Sequence, residues 1–205
     1  MLSLGGWTFN VLIPDADEDR LPGEPPGDYV VRLAQTKVRA VAAREPGASL
    51  ILGADTTVMD GDLLLAKPAD AAEAASFLRR LRGHVHQVYT GIAILRPSDG
   101  KLLTDLCVTD VPMRNYSDTE IVAYVQTGDP LDKAGAYAIQ HPQFQPVERM
   151  EDCFASVMGL PVCHVVRLLR QFDLAPEKDV PAGCQAALDY QCPVFPLILG
   201  GQRAG

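Results

Sequence analysis

Two side chains between Leu50 and Pro68 carry the charges that acid–base or phosphate chemistry needs: Asp55 in LGADTTV and Lys67 in AKP. A carboxylate can take a proton or hold a hard cation, and an ammonium can neutralise a phosphate. Leu50-Ile51-Leu52 reads as a short buried strand that Gly53-Ala54 interrupts, so Asp55 is expected at a strand end, with the hydroxyls of Thr56 and Thr57 behind it. Thr57 to Met59 reads as a second strand, Asp60-Gly61 as a hairpin turn, and Leu63 to Ala66 as the returning strand that delivers Lys67 ahead of Pro68. Such strand ends are where α/β proteins collect ligand chemistry. Taken singly, an Asp capping a turn and a solvated Lys would look the same.

Lys37 is a third charge of interest. Asp28 reads as the N-cap of a helix from Tyr29 to Arg44 that Pro46-Gly47 ends. Val30, Ala34 and Val41 lie on one face, and Lys37 falls on that stripe. A lysine there either runs its stem along apolar surface or faces a cleft holding anions. Upstream, Asp15, Asp17, Glu18 and Asp19 stand in a Pro/Gly-punctuated loop, open to solvent or to a metal ion.

The elements that position these groups follow in order. Asp70 to Leu81 is a helix with Gly83 just past its end; His84 to Leu95 and Lys101 to Met113 form a hairpin around Pro97-Ser98-Asp99-Gly100. His84 and His86 sit two apart on the first of these strands. Ser117 and Glu120 form a capping box for a helix from Asp118 to Gln126. The small residues of DKAGAYAIQ, 132–140, let a backbone or ligand come close, and Gln140 offers both a donor and an acceptor. Phe144 to Met150 reads as a strand, and Pro161 opens a last helix from Val162 to Phe172.

The 205 residues suffice for one domain, or one domain with two lobes; 47% are hydrophobic and 21% charged. There is no run of about 18 apolar residues and no recognisable signal peptide, so neither a membrane partner nor export is expected. A net charge of -8 argues against a nucleic-acid polymer as partner and favours a small phosphate compound held by a few placed cations. Five cysteines without zinc-type spacing read as reduced thiols of a cytoplasmic protein.

LGADTTV, the KP at 67–68, the block AxxFLxxLxGxxHxVYTG ending at Gly91, DKAGAYAIQ and VxGLP at 157–161 stand in the order of a known family. The chain resembles the Maf family of nucleoside triphosphate pyrophosphatases from about Leu4 to Phe172. The resemblance implies an α/β fold like that of inosine triphosphate pyrophosphatase: a mixed twisted sheet with flanking helices, and two lobes around a cleft. It divides the chain into a pyrophosphatase domain, 1–172, and an extension, 173–205, whose late apolar patch, Val194 to Leu199, would dock on the body. It implies hydrolysis of a nucleoside triphosphate between the α and β phosphates with Mg²⁺ or Mn²⁺, and homodimers are common in the family. Asp55 would activate water or hold the metal, Lys37 and Lys67 would neutralise phosphate, and Glu18 would complete the metal site. Thr56 and Gln140 match positions that set the choice of base. GADT with IQ resembles the thymidine/uridine branch rather than the methylated-guanosine branch, which reads GSDQ.

Two departures bear on this. His141-Pro142 replaces the family's Gly after IQ, and the Ser-Pro-Arg-Arg type loop that opens the family is missing. From the second, the expectation is a weakened enzyme with exposed Leu2, Leu4 and Trp7 that lose part of their cover, and a strand and arginine loop encoded upstream of Met1. A nucleotide-binding or division-regulating protein without turnover is the alternative from another class. A haloacid-dehalogenase-type phosphatase would need a D-x-D pair, and Asp55-Thr56-Thr57 lacks the second Asp.

Overall fold

Val30, Leu33, Ala34, Val38 and Val41 repeat at helical spacing and form the buried face of α1, Pro26–Arg44, in the computed structural model, which describes residues 1–202. The helix starts three residues earlier than its sequence suggests. Pro26 occupies the first turn, where a missing N–H costs nothing, so Asp28 lies inside that turn instead of capping it.

The apolar face of α1 lies on a sheet whose main correction to the sequence reading concerns Gly53. Instead of two short strands broken at Gly53-Ala54, β1 runs unbroken from Ile51 to Asp60, and Asp55 sits in its middle. The glycine serves a close approach: a Cβ there would lie 2.8 Å from Val38 Cγ1 and 3.0 Å from the Ala34 carbonyl oxygen. Gly91 does the same on the next strand, where a Cβ would meet the Val30 carbonyl at 2.5 Å.

β2, Leu63–Leu65, returns from the Asp60-Gly61 turn and pairs only with Val58, Met59 and Asp60. After α2, Ala71–Leu81, the chain forms the hairpin of β3, Val85–Arg96, and β4, Lys101–Pro112. The sheet order is β2-β1-β3-β4 and every ladder is antiparallel. Along β1, residues Ile51 to Thr57 pair with β3 on one side and have no strand partner on the other among the described residues.

The cores of the two halves sit on either side of this sheet segment. One joins Val58, Leu65, Leu78, Tyr116, Ile121 and Phe144 beneath α2 and α3, Asp118–Gln126. The other comprises Ala34, Val38, Ile51 and Leu95 under α1, with Ile92, Ile94, Val165 and Phe172 on the opposite face. Local signals hold where they were strongest: the Asp70 side chain accepts from the Glu73 N–H, and the Ser117–Glu120 capping box is complete.

Phe144 to Met150 is not a strand; one bridge, Met113 to Val147, remains. Pro146 has no N–H to donate, Gln145 has φ of 42°, and the Phe144 and Gln145 carbonyls accept from Arg114. After the single-turn α4, Phe154–Val157, the helix α5, Val162–Leu169, ends in a 3₁₀ turn through Phe172. Beyond it, α6, Val180–Leu188, and α7, Phe195–Leu199, dock through Ile198 and Val194 on a cysteine-rich patch. Residues 203–205 of the expected extension lie outside the described residues. Leu2, Leu4 and Trp7 are half-buried, with Leu2 and Trp7 against the α5 region and Leu4 against Gly183 of α6. No helix among the described residues is long and apolar enough to cross a membrane.

Candidate active site

Alternation along β1 sends Asp55 to one face and Thr56 to the other. Asp55 pairs with Gly91, the point of closest approach of α1, so its carboxylate points at that helix. Lys37, on the sheet-facing side of α1, meets it: Nζ lies 2.5 Å from Asp55 Oδ1 and 2.8 Å from Glu18 Oε1. The cleft reading of Lys37 is therefore the one the geometry supports. One ammonium serves two carboxylates, one nearly buried and one open to solvent.

Burial pushes the Asp55 carboxyl above its usual range; Lys37 opposes that shift and Glu18 adds to it. Burial pulls Lys37 down, but its hydrogen bonds to Asp55 and Glu18 outweigh it, and the ammonium ends above its ordinary value. The two directions agree: the lysine has two anions to answer, while the more deeply buried aspartate shares its one close cation.

These residues line an open cleft of about 480 Å³ that runs along the uncovered edge of β1. Lys67 lines it too, exposed just past β2, and makes no ion pair among the described residues. Thr56 borders the same cleft, its hydroxyl 2.9 Å from that of Thr90 on β3. Gln140 is exposed in a turn and is not among the cleft-lining residues. His141, next to it, accepts the Phe144 N–H at Nδ1 and packs edge-on against Tyr124.

The sequence reading missed the residues that hold the cleft's walls. The Tyr29 hydroxyl donates to the Glu18 carbonyl at 2.9 Å, and Arg32 donates to the Asp19 carbonyl and to both oxygens of Glu24. Together they fasten the acidic loop to the first turns of α1. Their helical positions, facing a loop that precedes the helix, were the available signal. Gly135, at φ of 70°, donates to the Ala66 carbonyl at 3.2 Å and so braces the residue before Lys67. His84 and His86 are structural: His84 bonds Asp60, and buried His86 bonds the Tyr137 hydroxyl.

The donor set suits a hard divalent cation. Asp55 and Glu18 both reach the Lys37 ammonium, and Mg²⁺-like ions are commonly held by one or two such carboxylates with water and phosphate completing the shell. Among the described residues no group of three or more His, Cys, Asp or Glu could hold a metal alone.

The model for "Maf-like protein" matches residues 1–172. The chain belongs to the Maf family. Among its Maf relatives, a protein of Geobacter metallireducens named dTTP/UTP pyrophosphatase is 45% identical over 170 residues, covering 83% of this chain and 88% of its own. A protein of the same name from Geobacter sulfurreducens is 45% identical over 172 residues, 83% of this chain and 89% of the relative. One from Escherichia coli O157:H7 is 41% identical over 179 residues, 87% and 89%. As a Maf protein the chain carries its matched blocks at the cleft: LGADTTV supplies Asp55 and Thr56, KP supplies Lys67, and DKAGAY supplies the Gly135 brace.

Proposed function

We propose that this Maf protein hydrolyses thymidine and uridine triphosphates between the α and β phosphates, giving the monophosphate and pyrophosphate as part of nucleotide-pool housekeeping. The observation that carries the reading is the convergence of Asp55, Glu18 and Lys37 in a cleft that Lys67 also borders. The pyrophosphatase names of the relatives supply the reaction.

Lys37 engages Asp55 through Oδ1, which leaves Oδ2 to take a proton from the attacking water. A carboxyl held above its usual range is a better base for that step than a solvated one. Lys67 and Lys37 answer the charge that grows on the phosphate oxygens. Asp55 and Glu18 would hold the divalent ion, Mg²⁺ or Mn²⁺, which when bound neutralises phosphate charge and orients the chain. Thr56 at the cleft and Gln140 in its turn are the proposed readers of the base, an amide being able to pair with adjacent carbonyl and imino groups. Residues 1–172 would form the catalytic domain and 173–205 its extension.

A panel of nucleoside triphosphates with Mg²⁺, read by pyrophosphate release and by isothermal titration, tests this. Thymidine and uridine triphosphates should be turned over fastest. Preference for a purine or a methylated guanine would reverse the base assignment. Binding without turnover would favour the regulatory alternative.

A further inference from the structure

The register of the sheet sets Thr56 of β1 beside Thr90 of β3, on the face opposite Asp55. Thr90 is fully buried, and its hydroxyl makes two hydrogen bonds. One goes to the Ser156 carbonyl of α4 at 3.0 Å, an oxygen that also accepts the Gly159 N–H at 2.8 Å. The other joins it to the Thr56 hydroxyl at 2.9 Å. A hydroxyl has one proton to give, and a carbonyl can only accept. Thr90 therefore spends its proton on Ser156, and the bond between the two hydroxyls must use the proton of Thr56. Thr56 Oγ1 has no other partner among the described residues, so lone pairs alone are what it offers the cleft. Gly159, at φ of 92°, adds no side chain beside that oxygen, where a Cβ would lie 3.4 Å away.

We propose that Thr90 is a positioning residue that makes Thr56 a one-way acceptor, so that the cleft takes bases presenting an imino N–H, uracil and thymine, over cytosine. The inference rests on the cleft being the nucleotide site, as proposed above. Uracil and thymine carry a hydrogen on N3 between two carbonyls, whereas cytosine has a bare lone pair at N3. Facing Thr56, the first arrangement forms a hydrogen bond and the second sets lone pair against lone pair. An amide such as that of Gln140 can turn over and offer either sign, so it does not by itself tell these bases apart. Thr56 can give its proton to cytosine only by leaving Thr90, whose buried oxygen then loses its donor. Guanine also bears an imino hydrogen, so this polarity acts against cytosine and not against guanine.

The test compares uridine and cytidine triphosphates, by kcat/KM for pyrophosphate release and by isothermal titration. It uses the parent chain, Thr90→Val, Thr90→Ser and Thr56→Val. The parent should favour uridine by about tenfold or more, the effect of one mispaired hydrogen-bonding group. Thr90→Val frees the Thr56 proton, and the preference should fall towards parity because cytidine gains. Thr90→Ser rebuilds the chain of hydroxyls and should restore the preference. A merely structural Thr90 would weaken both nucleotides alike, and that result overturns the proposal. If Thr90→Val does not fold, Thr56→Val at its partly exposed site decides, because a parental preference in that variant also overturns it. Titration keeps the two readings apart. Uridine bound more tightly without turnover supports this inference and refutes the pyrophosphatase; turnover with equal binding of both refutes this inference alone. Binding of neither nucleotide overturns both.

Discussion

If Asp55 is the general base proposed above, Asp55→Asn separates catalysis from folding, because its carboxylate acts with opposite signs in the two. For turnover, loss of a general base lowers kcat by about 10²–10⁴, or roughly 2.7–5.4 kcal/mol at 1.36 kcal/mol per decade. For stability the expectation is different. Breaking a buried ion pair costs about 3–5 kcal/mol when it strands the remaining charge. Lys37 is not stranded: Glu18 stays 2.8 Å from its Nζ, and the asparagine oxygen can still accept from it. Asp55 is an acid whose folded value is raised, by burial first, above the ordinary 3.8. A raised carboxyl binds its proton more tightly in the folded state, so stability declines as pH climbs from the unfolded value through the folded one. At neutral pH the ionised Asp55 therefore weakens the fold, and asparagine removes that burden. The variant should melt at the parental temperature or above it at pH 7. The two curves should converge on acidification towards 3.8, where the parent's carboxyl is itself neutral. Steady-state pyrophosphate release and thermal melts across that pH range make the test. Parental turnover in the variant, or a melting point well below the parent's at pH 7, would refute the reasoning.

Other perturbations of the site should behave differently. Lys37→Met should lose activity and also melt lower at pH 7, since Asp55 and Glu18 are left without their shared ammonium; a raised lysine contributes its stability below 10.5, and the defect should shrink in acid as the carboxylates protonate, which melts at two pH values would show. Lys67→Met should leave stability within about 0.5 kcal/mol, because the side chain is exposed, yet weaken triphosphate binding in a titration. Gly91→Ala should cost about 3 kcal/mol or more in urea unfolding, as the new methyl would lie 2.5 Å from the Val30 carbonyl and 2.6 Å from the Val31 nitrogen.

What the sequence disclosed depended on whether the cause was local. Asp70, the Ser117–Glu120 box and Gly83 at φ of 74° act within a few residues of themselves, and their helices lie where the pattern put them. Gly53 looked like a strand breaker because its reason for being glycine, the passage of α1 over β1, lies outside the local segment. Phe144 to Met150 had a strand's composition, but Gln145 and Pro146 deny it the backbone a strand needs. The charged residues of the cleft were legible as types; that Lys37 reaches both Asp55 and Glu18 is a consequence of helix-on-sheet packing that no spacing rule contains.

Asp55 lies in the middle of β1, in the stretch from Ile51 to Thr57 that pairs with β3 alone among the described residues, and it borders the cleft. The sequence placed Asp55 at a strand end because Gly53-Ala54 interrupts the apolar run before it, whereas β1 continues through both residues. β2 stops at Leu65 and covers only Val58 to Asp60, so the neighbouring edge from Ile51 to Thr57 opens on the cleft. A cleft along an edge, rather than over a face, reaches side chains from both faces. Asp55, turned towards α1, and Thr56, turned towards α4, therefore border one space although they point apart. The arrangement also divides the labour by face. The charged groups, Lys37 with Asp55 and Glu18, stand on the α1 side, while the neutral hydroxyls of Thr56 and Thr90 stand on the α4 side. On the proposed function, a triphosphate with its metal would lie on the first side and an uncharged base on the second. A base-directed change at Thr56 should consequently alter which nucleotide is chosen without touching the ion cluster, because the strand itself stands between them.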